Sequence, residues 1–330
     1  MLLSRLDSHC FPSSDASRLV PEPDTYCYRR YLRAKRTVDA RALNRRVWTQ
    51  FIQRVSETAS SPVRILEVGG GIGATVERIV EALEHGSVTR IQYTFVDIAP
   101  EHVNAAAASL GSWAERKGYD VSGRETQVWT DGPLDVDLQF VTTNLLRATS
   151  ALSGDSYDAI VAQAVLDLLN IPEALGALRP LLDEDGLWYL PIHFDGITAF
   201  EPPIDPALDA RIERLYHESM AGSGDREGGR AGAQCGRCLL THFLEGGATL
   251  LETGSSDWVV IPRAGGYPGD EAYFLHHVLH FVNAELSEHP AIEPGAFQEW
   301  LDTRRRQIEE AKLVYIAHQL DVLAQEANAS

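Results

Sequence analysis

The sequence predicts an α/β fold: a doubly wound, mostly parallel sheet with helices on both faces, preceded by an N-terminal helical cap. Three observations predict it. Short apolar runs alternate with helical stretches between residues 63 and 192, the pattern of strands joined by crossover helices. A glycine cluster, Gly69-Gly70-Gly71-Ile72-Gly73, closes the first of those runs and opens a helix. The 330 residues, 44% of them hydrophobic, suffice for a large core that needs no disulfide or metal to complete it.

Residues 1–24 carry Pro12, Pro21 and Pro23 among several serines and read as an irregular arm. From 25 to 55 the chain reads as one or two amphipathic helices. Leu43, Val47, Phe51 and Val55 recur every four positions and mark one packed face. Ser60-Ser61-Pro62 breaks the pattern. Strands are then expected at 63–68, 91–96, 138–142, 157–162 and 187–192, with helices at 74–84, 100–117 and 171–182. Further helices are expected at 206–220, 235–244, 271–286 and 295–311, with a mobile glycine-rich linker at 221–232. Residues 249–253 and 258–261 read as strand. Residues 313–323 are compatible with helix or strand, and their β-branched, aromatic start favours a closing edge strand antiparallel to 249–261. The expected organisation is an arm and helical cap over 1–60 and one α/β domain over 61–330, with helical insertions near 200–245 and 265–311.

Acidic residues number 47 against 29 basic ones, a net charge of −18. Such a field repels a nucleic-acid backbone, so no nucleic-acid partner is expected. No apolar run approaches the roughly 18 residues of a membrane span, and the first residues lack a signal-peptide core. A cytoplasmic protein without a membrane partner, monomeric or homodimeric, is the expectation. Cys10, Cys27, Cys235 and Cys238 make no disulfide framework in a chain this long. Cys235-Gly-Arg-Cys238 has metal-ligand spacing, but its place at the start of a helix favours two small buried side chains. His276 and His280 share a helical face with no carboxylate at ligand spacing, so His276, His277 and His280 read as packing residues and no metal is expected.

The chemistry concentrates at the glycine turn. A strand ending in glycines lets a ligand approach the backbone, and the following helix start adds exposed N–H donors. Asp97 ends the second strand, 24 residues past Gly73, where an acid can accept both hydroxyls of a ribose. Two cofactors fit. Gly69, Gly71 and Ala74 satisfy a dinucleotide fingerprint in form, but Glu67 just before them would repel a pyrophosphate. A ligand with an ammonium group would instead welcome that carboxylate. S-adenosylmethionine has an ammonium, a ribose and no phosphate.

On these residues the chain resembles the class I S-adenosylmethionine-dependent methyltransferases. Glu67-Val68-Gly69-Gly70-Gly71-Ile72-Gly73 is similar to their first motif and Phe95-Val96-Asp97 to their second. Phe140-Val-Thr-Thr-Asn-Leu-Leu146 resembles the segment that cups the adenine, with Asn144 where an aspartate is usual. Tyr157-Asp-Ala-Ile-Val-Ala-Gln-Ala-Val-Leu-Asp167 resembles the fourth strand and the loop that faces the methyl group. The resemblance spans roughly residues 60–200 and implies a seven-stranded sheet with an antiparallel closing strand. It implies a methyltransferase acting on a small-molecule acceptor, with S-adenosyl-L-methionine held by Glu67, Gly69, Gly71, Gly73, Asp97, Ile98, Asn144, Leu145 and Gln163. The alternatives are an NAD(P)-dependent oxidoreductase and a non-catalytic methyltransferase-like partner protein.

Methyl transfer from a sulfonium needs alignment first and a base only where the acceptor carries a proton. Gln163 and Asp167 follow the fourth strand, and His193 and Asp195 follow the fifth, at the sheet edge where ligands gather. His193, which titrates near neutrality, and Asp167 are the candidate catalytic residues. The alternatives are a His193 hydrogen-bonded at the strand end and an Asp167 that caps a helix. From 29 to 46, eight basic residues face Asp39 alone. Three readings compete: pairing with the protein's own acids, docking an anionic group, and binding RNA. With Tyr26, Tyr28 and Tyr31 alongside, this segment also suits a lid over the cofactor.

Overall fold

Five apolar runs form the parallel centre of the sheet: β1 (Val63–Val68), β2 (Arg90–Asp97), β5 (Asp135–Thr142), β6 (Tyr157–Val161) and β7 (Leu182–Glu201). The computed structural model describes residues 21–57, 61–147, 150, 152, 156–220 and 231–326. Within them, β1 pairs in parallel with β2 and β6, β2 with β5, and β6 with β7. Three further strands, β3 (Asp120–Ser122), β4 (Thr126–Thr130) and β8 (Thr249–Ser255), join them, with β9 (Trp258–Val260) and β10 (Val314–Gln325). The order is β3-β4-β5-β2-β1-β6-β7-β10-β8, with β9 pairing β10.

The path β5-β2-β1-β6-β7-β10-β8 accounts for the expected seven strands. Among the described residues the sheet has ten, because β3 and β4 extend it antiparallel beyond β5 and β9 pairs with β10. The C-terminal run is a strand, antiparallel to β8 and β9 as expected. It is not at the edge, however: β10 lies between β7 and β8. Its burial explains this, since Val322, Leu323 and Ala324 are all fully buried, as a strand covered on both faces requires.

The described residues fall into two compact units. One comprises the described parts of 43–195, 224–256 and 319–330. Here α2 (Arg45–Glu57), α3 (Ala74–Leu83) and α4 (Pro100–Lys117) pack on one face of the sheet. Val47, Phe51 and Val55, read from their spacing as a packed face, are buried in that cluster with Ile65, Phe95 and Trp129. The other face carries α5 (Ile171–Leu178) and α7 (Cys235–Glu245), whose Leu175, Leu178, Leu239 and Phe243 cover Leu66, Ile160 and Trp188. Cys235 is buried in this second cluster and both α7 thiols are free, as the packing reading expects.

The other unit comprises the described parts of 1–42, 196–223 and 257–318. It contains α1 (Tyr28–Ala42), α6 (Pro206–Met220), α8 (Glu271–Leu286) and α9 (Pro294–Glu309). This division differs from the expected one at residue 60, since α1 and α2 fall in different units. The basic helix pairs with acids of its own unit: Arg30 with Asp270 at 2.8 and 2.9 Å, and Arg41 with Glu271 at 2.6 and 2.8 Å. Tyr31 stacks on His277 and Phe274. Cys27 is disulfide-bonded, against the expectation that the four cysteines make no disulfide framework, and is thereby removed as a thiolate ligand. The expected linker at 221–232 lies almost entirely outside the described residues, as does most of the expected arm at 1–24.

Candidate active site

β1 delivers Glu67 and the glycine turn to the carboxyl edge of the sheet, and β2 delivers Asp97 beside them. The turn approaches β2 so closely that a Cβ on Gly70 would sit 2.2 Å from the buried Phe95 ring. Gly70 N–H donates to Val96 O at 3.1 Å and Gly71 N–H to Asp97 Oδ2 at 2.9 Å. Turn and acid, 26 positions apart, are thus one hydrogen-bonded structure. Gly71 holds a left-handed φ of 57°, a region that disfavours any side chain.

Asp97 is already well engaged. Oδ1 accepts Ala99 N–H at 2.9 Å and lies 3.3 Å from His102 Nδ1. A carboxylate has about four lone-pair sites, so three protein contacts leave room for one direct ligand hydroxyl rather than two. His102, in the first turn of α4, went unmarked in the sequence reading. Its signal was the five-residue step from Asp97, which brings a helix start back onto a strand end. Ile98 beside the acid is 55% exposed, an apolar side chain open to a flat ligand. Leu145 is buried, whereas Asn144 is exposed and its Oδ1 accepts Leu146 N–H at 2.9 Å.

Glu67 is 1% exposed and accepts Tyr93 O–H at 2.8 Å. Burial pushes its carboxyl up to about 7, against the pull of Tyr93, Thr75 and Arg78. The raised value fixes the sign of a pH effect. Stability from this group is fully present below the ordinary value of about 4.5 and is lost as pH rises through about 7. The loss amounts to about 3 kcal/mol at 1.36 kcal/mol per unit. Urea unfolding at pH 5 and pH 8 should show it, and Glu67→Gln should flatten the difference.

Gln163, after β6, accepts Thr75 O–H and Arg78 Nη1–H, both at 3.2 Å, tying that loop to the start of α3. Asp167 lies half-buried in a single helical turn, 166–168, next to the 47% exposed Leu168. It does not cap α5: Asn170 does, accepting Glu173 N–H at 2.9 Å.

His193 is fully buried. Its Nδ1 lies 3.2 Å from Leu190 O, and its Nε2 lies 3.4 Å from Leu166 N. A carbonyl only accepts and an N–H only donates, so Nδ1 carries the proton and Nε2 accepts. The ring thus takes the hydrogen-bonded place at the strand end that stood as the alternative to a catalytic His193. Asp195 is likewise committed, to a two-pronged pair with Arg237 at 2.9 and 3.0 Å. His276 and His277 are buried in the helical unit, where His277 stacks on Tyr31 and burial beside His280 lowers it to about 3. Among the described residues no three His, Cys, Asp or Glu side chains come together at metal-binding distance.

Comparison with known families adds the remaining observation. Residues 66–188 match a family model described as a methyltransferase domain. Over this segment, 123 of the 330 residues, the chain is similar to methyltransferase domains. The match begins inside β1 and runs to β7, so the matched segment contains the glycine turn, Asp97 and the β6 loop. It favours the methyltransferase expectation over the dehydrogenase alternative. Curated proteins similar to this chain include the non-reducing polyketide synthase mapC of Penicillium roqueforti, 28% identical over 143 residues. That match covers 42% of this chain and 5% of the synthase. The 3-methylorcinaldehyde synthase of Sarocladium schorii is 32% identical over 96 residues, 28% of this chain and 3% of the synthase. The chain thus spans about a twentieth or less of the length of these relatives. A solved SAM-dependent methyltransferase from Thiobacillus denitrificans, in complex with S-adenosyl-L-homocysteine, is 11% identical. It covers 85% of this chain and 92% of its own, with a TM-score of 0.41.

Proposed function

We propose that the chain transfers a methyl group from S-adenosylmethionine to a small-molecule acceptor of polyketide type. The observation that supports it best is the Gly71–Asp97 hydrogen bond within the segment matching the methyltransferase family. The net charge of −18 disfavours a nucleic-acid acceptor, and the polyketide synthases among its relatives suggest the acceptor class. Among the described residues no helix is long and apolar enough to cross a membrane.

In this reading S-adenosylmethionine supplies an activated methyl group on sulfur, and the chain's residues bind and align. The backbone at Gly69, Gly71 and Gly73 admits the ligand. Asp97 accepts a ribose hydroxyl, Ile98 and Leu145 offer apolar contact to the adenine, and Asn144 turns its NH₂ toward the ring. Gln163 holds the β6 loop against α3. Glu67 answers the ammonium group: a carboxyl poised near 7 becomes fully ionised when a cation arrives, so binding releases a proton. Affinity should therefore rise between pH 6 and pH 8, opposite in sign to the stability trend, and titrations in buffers of different ionisation enthalpy would count the proton. Asp167 is the candidate base for an acceptor that carries a proton; His193 acts from inside the fold.

The first test is calorimetric titration with S-adenosylhomocysteine and with NAD, followed by methyl transfer to a panel of polyketide acceptors. Binding of NAD alone would overturn the reading. Asp97→Ala should weaken S-adenosylhomocysteine binding by roughly 1.5–3 kcal/mol, the scale of hydrogen bonds to a charged group. An unchanged affinity in a folded variant would remove Asp97 from the ribose role.

A further inference from the structure

We propose that Asp321 is a positioning residue for methyl transfer, acting through Ile192 and His193 on the loop after β6. The proposal rests on the reading of the glycine turn and that loop as two sides of the cofactor site. Asp321 lies on β10, fully buried. Its Oδ1 accepts Ile192 N–H and its Oδ2 accepts Asn44 N–H, both at 2.8 Å. A core that needed only packing would place an apolar side chain there, since a buried carboxyl is costly without partners. Burial pushes this carboxyl up, while Ser256 and the two N–H bonds oppose the shift.

Ile192 is the residue that needs an anchor. It holds φ at +59° inside a strand, a genuine outlier for a β-branched side chain. Such a conformation persists only where the surroundings over-determine it, and outliers of this kind cluster at functional sites. Its neighbours on β7 reach the β6 loop. Pro191 O accepts Ala164 N–H at 3.1 Å, and Ala164 is itself left-handed at φ +51°. His193 Nε2 faces Leu166 N–H at 3.4 Å. Between these two anchor points stands Val165, whose side chain lies where a Cβ on Gly69 would be only 2.6 Å away. The twist at Ile192 turns the His193 ring into the protein, and the loop is thereby held against the first motif. Asp321 stands 126 or more positions from every residue of the 163–195 segment it steers.

Asp321→Asn tests this directly, because an NH₂ group would replace one of the two accepting oxygens and face an N–H donor. The expected result is a folded protein whose S-adenosylhomocysteine dissociation constant rises about tenfold, within the range that positioning networks transmit. Leu166 N–H should exchange about tenfold faster while amides of β1 and β2 are unchanged. The ¹⁵N resonances of His193 should shift as well. In an Ile192→Gly background, where the left-handed conformation is free of strain, Asp321→Asn should have little further effect on affinity. Unchanged affinity and unchanged Leu166 exchange would overturn the proposal, and so would faster exchange spread evenly over the sheet, the mark of a purely structural role. If Asp321→Asn does not fold, His193→Phe carries the test, since it cuts the connection between Ile192 and Leu166. A wild-type protein that binds no S-adenosylhomocysteine overturns the site reading and this proposal together. Wild-type binding beside an equally tight Asp321→Asn overturns this proposal alone.

Discussion

Gly71→Val is expected to weaken S-adenosylhomocysteine binding by two to three orders of magnitude. Two effects combine. Gly71 occupies φ +57°, and an L-residue in that region costs about 1–2 kcal/mol, more when β-branched. The backbone relieves that strain by rotating, and rotation breaks the 2.9 Å bond from Gly71 N–H to Asp97. Losing a hydrogen bond to a charged group contributes about 1.5–3 kcal/mol. Both costs fall on the free protein as well as on the complex. Affinity falls because the rotated turn and the released Asp97 no longer meet the ligand, and a loss of two to three orders of magnitude corresponds to roughly 3–4 kcal/mol at about 1.4 kcal/mol per tenfold. Titration calorimetry would measure it, with circular dichroism confirming that the sheet survives. An affinity within a factor of three of wild type would mean that the turn does not meet the ligand.

Asp209→Ala should give the largest loss of stability, about 3–5 kcal/mol in the helical unit, the typical result of orphaning a buried charge. Arg304 on α9 has a fully buried guanidinium whose Nη2 meets Asp209 Oδ1 at 2.7 Å. The same oxygen accepts Trp300 Nε1–H at 2.6 Å, and Oδ2 accepts Ile204 N–H at 2.9 Å. One carboxylate therefore ties α6, α9 and the turn before α6. Removing it takes away the one carboxylate that pairs directly with this buried cation, leaving it to Pro202 O, Gln307 Oε1 and the rings of Trp300 and Phe200. Replacing both partners at once, Asp209→Leu with Arg304→Met, should recover most of the loss because no charge is left behind. Urea unfolding would read these differences. By contrast, Arg214→Ala breaks a pair whose side chains are both 58% exposed and should change stability by less than about 0.5 kcal/mol.

Local pattern carried most of the fold and little of the site's inner wiring. The strand at 63–68 was legible to the residue because its apolar run is bounded by Pro62 and Gly69. Val47, Phe51 and Val55 announced their burial by spacing alone. The sequence reading missed β3 and β4 because they are short and polar, at the outer end of the sheet: only Gln127 and Trp129 of their eight residues are buried. β7 runs from 182 to 201 rather than 187–192, since His193, Asp195 and Gly196 broke the apolar run that defined it. Glu67 and Asp97 could be picked out because their chemistry matters at a turn visible in the sequence. His193 could be named but not oriented. Its direction is set by Leu166 and Ile192, and Ile192 in turn by Asp321, whose relevance no local window contains.

The place of β10 has a consequence for how the protein is made. Synthesis runs from the N-terminus, and β7 and β8 leave the ribosome well before residues 314–325. Until β10 inserts between them, each presents an unpaired row of N–H and C=O groups, the kind of edge that other chains can pair with. Residues 256–313 therefore emerge beside an unfinished sheet. The gap closes only after β10 has left the exit tunnel. A ribosome stalled before residue 314 should hold a chain whose β1, β2 and β6 are paired while β7 and β8 stay open, a substrate for chaperones that recognise exposed strands.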